Sequence, residues 1–491
     1  MKPAPITILQ AMADKKLFGG QFSAKTWEPW RGFLSILYGL EPTAEHMALF
    51  KSCTGRDTRS HSGSREAWLV CGRRAGKSRI LALIAAYEAC LRNWRPFLSS
   101  GERGVVAVLA CDRRQAQVIF GYVKALITET PLLAPLVTNE TADTLELSNG
   151  ISVEVTTADF RRVRGRTIVT ALMDEVCFWR SDSSANPDQA VLDALRPAMA
   201  TVPGSLLLAA SSPYAKRGIM YDAWKRWHGN ANAPALIWQA PSRTMNPALP
   251  ERLIIEALER DPAAARAEYL AEWRDDVSAF LDRAVVESAV DLGETVRPPV
   301  PGVAYVAFAD PSGGSADAFT LGIAHAEGEL AVLDCLYERR PPFNPSEVVA
   351  EVAEVLKSYH LTSVMGDRYA AQWVVEAFAK VGIAYRHSER DRSAIYSDVL
   401  PLFTSGRARL LDNTRLASQF SALERRTSVG GRDRIDHGPN GHDDAANAAA
   451  GALVLAATAR RTAPIVSPIS EPCANYWANG VDTITPWLST E

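Results

Sequence analysis

The chain predicts an α/β fold in two units: an N-terminal parallel sheet with helices on both faces, and a C-terminal mixed sheet. Three observations predict it. Through the first half, apolar runs of strand length alternate with helical patterns, the grammar of strand–helix–strand units. A stiff break, Arg297-Pro298-Pro299-Val300-Pro301-Gly302, then interrupts that pattern. Beyond it, Val303 to Ala309, Phe319 to Ala326 and Glu329 to Tyr337 follow one another with no helix between them. A length of 491 residues also exceeds one compact core, and roughly two to four domains are expected.

Composition narrows the class. Lys and Arg number 53 against 56 Asp and Glu, a net charge of -3, so overall charge announces no polyanionic partner and local basic clusters must carry that argument. No apolar run approaches the roughly 20 residues that cross a bilayer. The start, Met1 to Gln10, lacks the basic, apolar and cleavage regions of a signal peptide. The seven cysteines are scattered, with no CxxC pair and no metal spacing with His. That suits a reducing cytosol and argues against a disulfide framework or a zinc site. The expectation is a soluble, intracellular protein.

Taken in order, residues 1 to 60 hold Phe18, Phe22, Trp27, Trp30, Phe33, Leu34, Leu37 and Tyr38 at the spacing of helices packed on a core. An apolar strand, Trp68 to Cys71, then runs into Gly72-Arg73-Arg74-Ala75-Gly76-Lys77-Ser78, and an apolar helix follows at once. A turn ending Gly-Lys-Ser between strand and helix lets backbone N–H groups and a helix N-terminus cradle phosphates. Lys77 would reach the β- and γ-phosphates of ATP, and the Ser78 hydroxyl would ligate Mg²⁺. Cys71 stands where the usual pattern has glycine. One of the upstream aromatics would suit stacking on adenine, with no residue singled out.

A second strand, Gly104 to Cys111, leads into a helix through Gln115 to Thr128. Asn149-Gly150 between two alternating runs predicts a hairpin. A basic turn, Arg161 to Arg166, precedes the strand Ile168 to Met173, which ends in Asp174-Glu175. Downstream of a Gly-Lys-Ser loop, Asp174 would hold the Mg²⁺ shell and Glu175 would deprotonate the attacking water. The next strand, Ser205 to Ala210, ends in Ser211-Ser212-Pro213, where a hydroxyl is placed to sense the γ-phosphate. These elements make residues 61 to 234 a P-loop NTPase core and residues 235 to 300 an appended lid or linker layer.

From 301 to 462 the order changes to three strands, a helix (Pro345 to Tyr359), a strand (Thr362 to Gly366), a helix, a short strand and further helices. The last is an Ala-rich helix from Asp443 to Ala459, and the order is that of an RNase H-like sheet. Asp310 ends the first strand, Asp367 ends the fourth, and Asp443-Asp444 open the last helix. In such a sheet the first and fourth strands are neighbours and the last helix packs across their ends, so the carboxylates converge. Converging carboxylates suit two Mg²⁺ or Mn²⁺ ions, about 3.5–4 Å apart, that activate water and stabilise a leaving 3′ oxygen. Asp443 is preferred over Asp444 as the main ligand, since neighbours on a helix cannot both point at the metals equally. Asp317, His442 and Asn447 are supporting candidates.

The series Gly72 to Ser78, Met173-Asp174-Glu175, Ser211-Ser212-Pro213, Asp310-Pro-Ser-Gly-Gly, Asp367 and His442-Asp443-Asp444 resembles the large terminase subunit of tailed bacteriophages. The resemblance covers about residues 20 to 460 and is to a DNA-packaging motor and nuclease whose phosphate loop is itself deviant, with basic residues in its middle. It implies a cis arginine finger at Arg73, a finger inserted into a neighbouring subunit at Arg164, and coupling of hydrolysis to movement through Ser211 and Ser212. It also implies double-stranded DNA as substrate, a homo-oligomeric ring, expected as a pentamer, on the portal of the procapsid, a small terminase partner, and a place in the host cytoplasm. Arg161, Arg162, Arg166, Arg425, Arg426, Arg432 and Arg434 are candidate DNA contacts, with Arg432 and Arg434 preferred because their Gly-rich loop leads into the last helix. The tail, 463 to 491, would dock on the portal or hang free. Two other readings share these motifs: a repair or recombination ATPase fused to a Holliday-junction-type nuclease, and a non-catalytic DNA-binding scaffold.

Overall fold

In the computed structural model, the described residues are 6–157, 165–179, 187–315, 317–367, 372–427, 433–439 and 441–459. The N-terminal half builds one eight-stranded sheet. Its strands are β1 (Glu66–Cys71), β2 (Gly104–Ala110), β3 (Val137–Glu140), β4 (Thr144–Leu147), β5 (Ile151–Thr157), β6 (Thr167–Asp174), β7 (Leu206–Ser211) and β8 (Leu236–Ala240). They lie in the order β3-β4-β5-β2-β6-β7-β1-β8. From β5 to β8 every neighbouring pair is parallel.

Parallel central strands are covered on both faces, which is why they read as continuous apolar runs rather than alternating ones. In β1, Ala67, Leu69 and Cys71 enter the core on one face. Trp68 and Val70 enter the core on the other. The helix Lys77–Cys90 is buried almost all round, so its sequence is apolar on every side. Asn149-Gly150 makes the predicted hairpin, with Gly150 at φ +86° between the antiparallel strands β4 and β5.

Two elements fall elsewhere than composition suggested. β8, expected in an appended layer, pairs with β1 along its whole length, Ala67 opposite Leu236 through Cys71 opposite Ala240. The segment before the proline-rich break belongs to the second half: Phe280, Leu281, Val286 and Ala289 pack in the C-terminal core. The break itself is tied down on that half, Arg297 N–H donating to the Asp334 carbonyl at 2.8 Å. Prolines made the segment conspicuous, but the packing changes some twenty residues earlier.

The C-terminal half forms a six-stranded mixed sheet from β10 (Tyr305–Asp310), β11 (Phe319–Glu327), β12 (Leu330–Arg339), β13 (Ser363–Gly366), β14 (Ala384–His387) and β15 (Ala408–Arg409). The order is β14-β13-β10-β11-β12-β15. The first three strands are antiparallel, and β13 returns parallel beside β10, with Ala309 opposite Gly366. The helix Asp444–Ala459 lies across β10 and β11, and glycines set its depth: a Cβ on Gly451 would fall 2.2 Å from the Phe308 ring, and one on Gly322 2.6 Å from the Ala448 carbonyl. A third, three-stranded sheet joins β9 (Val277–Ala279) to β16 (Leu423–Thr427) and β17 (Asp433–His437) in the order β17-β16-β9.

The two halves meet at a buried carboxylate. Glu424 of β16 has no exposed surface, and its Oε2 accepts from the Tyr214 hydroxyl at 2.7 Å. Arg217 pairs with its other oxygen. Tyr214 and Arg217 follow directly on β7, so the loop beyond Ser211-Ser212 is bonded to the C-terminal half. Among the described residues, no helix is long and apolar enough to cross a membrane.

Candidate functional site

The loop from Gly72 to Gly76 is held from behind by its carbonyls. The Trp30 indole donates to Ala75 O at 2.9 Å, Ser242 Oγ to Arg73 O at 2.7 Å, and the Asn246 amide to Arg74 O at 2.8 Å. With three successive carbonyls fixed from outside, the N–H groups at the start of the Lys77–Cys90 helix are left for an anion, since they have no intrahelical acceptor. Arg74 (φ 64°) and Gly76 (φ 105°) take left-handed conformations that fold the chain over the helix start. Gly76 also backs onto Trp27 and Trp30, at 3.3 and 3.2 Å from where a Cβ would lie.

The ends of β1, β6 and β7 bring the predicted residues together. Lys77 is 5% exposed and donates to the carbonyls of Cys71 and Gly72 at 3.0 and 3.2 Å and to Ser212 Oγ at 2.9 Å. It also lies 3.3 Å from Glu175 Oε1. Glu175 Oε2 accepts from Ser211 Oγ at 3.2 Å and from the Ser212 N–H at 3.1 Å. Asp174 is fully buried; its Oδ2 accepts from Ser78 Oγ at 3.3 Å and from the Gln115 amide at 2.9 Å. Its Oδ1 has no partner. Burial, and then the neighbouring Glu175, push the Asp174 carboxyl up to about 7. An unpartnered carboxylate oxygen beside a helix-starting hydroxyl fits the hydrated shell of a cation.

One predicted cation lies differently. Arg73 turns toward the following helical layer and pairs with Glu268 at 3.2 Å, its side chain 59% exposed. Arg164, with Arg161, Arg162 and Arg432, lies outside the described residues, as does the tail from 463. Arg79 spreads over the rings of Phe22, Trp27 and Tyr122, with ring-centre distances of 5.4, 5.5 and 5.8 Å, and donates to Gln21 at 2.8 Å. Those residues form an aromatic and amide wall beside the loop.

The carboxylates of the second half gather at the ends of β10 and β13. Asp310 accepts from the Asn447 amide at 2.8 Å. Burial pushes its carboxyl up to about 7 against that hydrogen bond, with Asp444 and Asp367 adding repulsion. Asp444 accepts from the Ala318 N–H at 3.3 Å, and its own carbonyl takes the Thr320 hydroxyl at 2.7 Å, which pins the helix start to β11. Asp367 follows β13, its N–H donating to the Ala309 carbonyl at 3.3 Å. Asp443 is bonded to Arg392 at 2.7 Å and to the Tyr396 hydroxyl at 2.8 Å. Asp310, Asp317, Asp443, Asp444, Arg392 and His442 all line one cavity of about 420 Å³. As the side chains stand, no three His, Cys, Asp or Glu among the described residues converge closely enough to hold an ion. Asp310 and Asp444 nonetheless offer only oxygen to the cavity they line, the donor chemistry that a hard cation takes.

The candidate DNA contacts that are described carry acidic partners: Arg166 with Glu154, Arg425 with Asp433, Arg426 with Glu424, and Arg434 with Asp436. Sequence reading missed Trp30, Ser242, Asn246 and Gln115 at the first site, and Arg392 and Tyr396 at the second. None of these sits in a motif with a spacing of its own.

No protein-family model matches the chain, and no curated protein does. Among solved structures, the chain is similar to the large terminase of bacteriophage HK97, at 19% identity over 80% of this chain and 91% of that one, with a TM-score of 0.35. It is similar to the large terminase of a thermophilic bacteriophage at 13% identity over 79% and 93%, with a TM-score of 0.36. A third similar structure is the large terminase nuclease of the thermophilic phage G20c with bound magnesium, at 17% identity over 36% of this chain and 98% of that one, with a TM-score of 0.32. All three are large terminases.

Proposed function

We propose that the chain is a large terminase subunit: an ATP-driven motor that moves double-stranded DNA into procapsids, joined to a divalent-metal-dependent endonuclease. The observation that carries this reading is the pairing of two sites on one chain, Lys77, Asp174 and Glu175 at the strand ends of one sheet and Asp310 with Asp444 at the strand ends of another.

At the first site ATP is the substrate. Its phosphates compete for Lys77, which frees Glu175 to take a proton from the attacking water as the bond between the γ-phosphorus and ADP breaks. Ser78 and Asp174 would hold a magnesium ion that neutralises phosphate charge. Gln21, Trp27 and Arg79, grouped beside the loop, would contact the base. Arg73 becomes a finger by leaving Glu268, an exposed pair worth little in water, and Arg164 would act on a neighbouring subunit. Ser211 and Ser212 hold Glu175 and so are placed to report the nucleotide to the rest of the chain.

At the second site Asp310, Asp367 and Asp444 would hold Mg²⁺ or Mn²⁺, which would activate water and stabilise the leaving 3′ oxygen. Water adds to the phosphorus and the P–O3′ bond breaks, leaving a 5′ phosphate and a 3′ hydroxyl. Asn447 orients Asp310 for this. The reading extends to a ring of subunits, five in number, on a portal, a small terminase partner, mainly phosphate contacts to DNA, and action in the host cytoplasm.

The test separates the sites. In the purified chain, Glu175→Gln should lower ATP hydrolysis by about 10²-fold or more and leave Mn²⁺-dependent plasmid cleavage intact, with Asp310→Ala doing the reverse. ATPase should rise when portal-bearing procapsids and DNA are added. Unchanged ATPase in Glu175→Gln, or cleavage confined to branched DNA with indifference to procapsids, would overturn it.

A further inference from the structure

Asp443, just before the last helix, and Asp444, its first residue, serve different neighbours. Asp443 is 1% exposed, and both its oxygens are taken, one by Arg392 and one by the fully buried Tyr396. Asp444, the first residue of the helix, lines the same cavity as Asp310. The Arg392 side chain is 39% exposed, and Asp443 is its hydrogen-bonded acceptor among the described residues. Arg392 is also the one Arg or Lys among the described residues that line the cavity.

A guanidinium carries five donors in a rigid plane. Here one corner is fixed by a buried carboxylate, which is itself fixed by a buried hydroxyl. The same side chain lines the cavity that Asp310 and Asp444 line. A planar fork, pre-set in orientation, matches the oxygens of a phosphate better than a mobile point charge does. The cluster also needs it, because carboxylates alone repel a phosphodiester.

We propose that Arg392 binds a non-bridging oxygen of the phosphodiester to be cut, and that Asp443 with Tyr396 is its anchor rather than a metal ligand. This rests on the nuclease reading above and adds the residue that seats the substrate.

The test uses the full chain and three variants. Arg392→Lys keeps a cation for Asp443, so the fold is retained, but removes the planar edge; Asp443→Asn and Asp444→Asn divide anchor from ligand. Duplex DNA binding is followed by fluorescence anisotropy in Ca²⁺ across a salt series, Mn²⁺ binding by calorimetry, and cleavage in Mn²⁺ by its kcat and KM. For Arg392→Lys, kcat/KM should fall by about ten- to a hundredfold, while the slope of log affinity against log salt holds because the charge remains, with Mn²⁺ affinity within twofold of the parent. Asp443→Asn should likewise keep Mn²⁺ affinity, and Asp444→Asn should lose at least tenfold of it. An unchanged kcat/KM in Arg392→Lys, or a loss of Mn²⁺ affinity in Asp443→Asn equal to that in Asp444→Asn, would overturn the inference. A parent protein that cuts DNA with neither Mg²⁺ nor Mn²⁺ would instead overturn the nuclease reading beneath it.

Discussion

Glu175 stands at φ 52°, ψ 46°, a left-handed backbone that a glutamate seldom takes and that costs about 1–2 kcal/mol. What keeps it there is local: two donors from Ser211 and Ser212 on one oxygen and Lys77 on the other. Ser211→Ala removes one of those donors, so ATP turnover should fall by about tenfold while nucleotide affinity holds, as steady-state hydrolysis beside a nucleotide titration would reveal. Glu88 poses a different question. It is wholly buried on the Lys77–Cys90 helix, where burial raises its pKa against the pull of Arg92 and Tyr38. A carboxyl raised in the folded state favours folding most below its unfolded value near 4.5, and that contribution fades as pH climbs through the folded value. Melting curves over pH should therefore find Glu88→Gln gaining on the parent as pH rises from about 4.5 through the folded value. The motif residues were legible because each marks a strand end or a helix start within its own few residues. Trp30 and Asn246 were not: they act from 45 and 172 residues away on backbone carbonyls, and any donor of the right reach would read the same in sequence.

At the scale of elements, the position of Asp444 and Asn447 depends on how closely their helix approaches β10 and β11. Gly451 against Phe308 and Gly322 against Ala448 make that approach possible. Gly451→Ala should gain a little helix propensity yet lose about 1–3 kcal/mol net through overpacking, measured by denaturant melts, and DNA cleavage should drop with ATPase retained. The Ala-rich run announced this helix plainly. The strand order of its sheet could be read from three consecutive strands followed by alternation. β8 and β9 could not be assigned that way, because a short apolar run does not say which sheet it will join. Arg392 was invisible for a related reason: an arginine at a helix start looks like any solvated charge until Asp443 is folded against it.

For the whole molecule, Glu424 is where the halves depend on one another. Its carboxylate is closed from solvent between Tyr214 and Arg217 of one half and Arg426 of its own. Glu424→Ala would strand these partners, and removing one member of a buried charged set costs about 3–5 kcal/mol. Tyr214→Phe, losing one hydrogen bond, should cost about 1 kcal/mol. Chemical denaturation of both variants would compare them. Since Arg426 also donates to the His437 carbonyl at 3.2 Å, the hairpin that precedes the helix Asp444–Ala459 is fastened at the same point.

The pairing of β9 with β16 bears on how the chain can be taken apart. Val277 to Ala279 lie against Glu424 to Arg426, and Phe280 and Leu281 fill the core beyond. A fragment that starts at the prolines would bare an edge strand and an apolar floor, a recipe for aggregation. One that starts just before Val277 keeps both covered, and of the two it is the fragment to express.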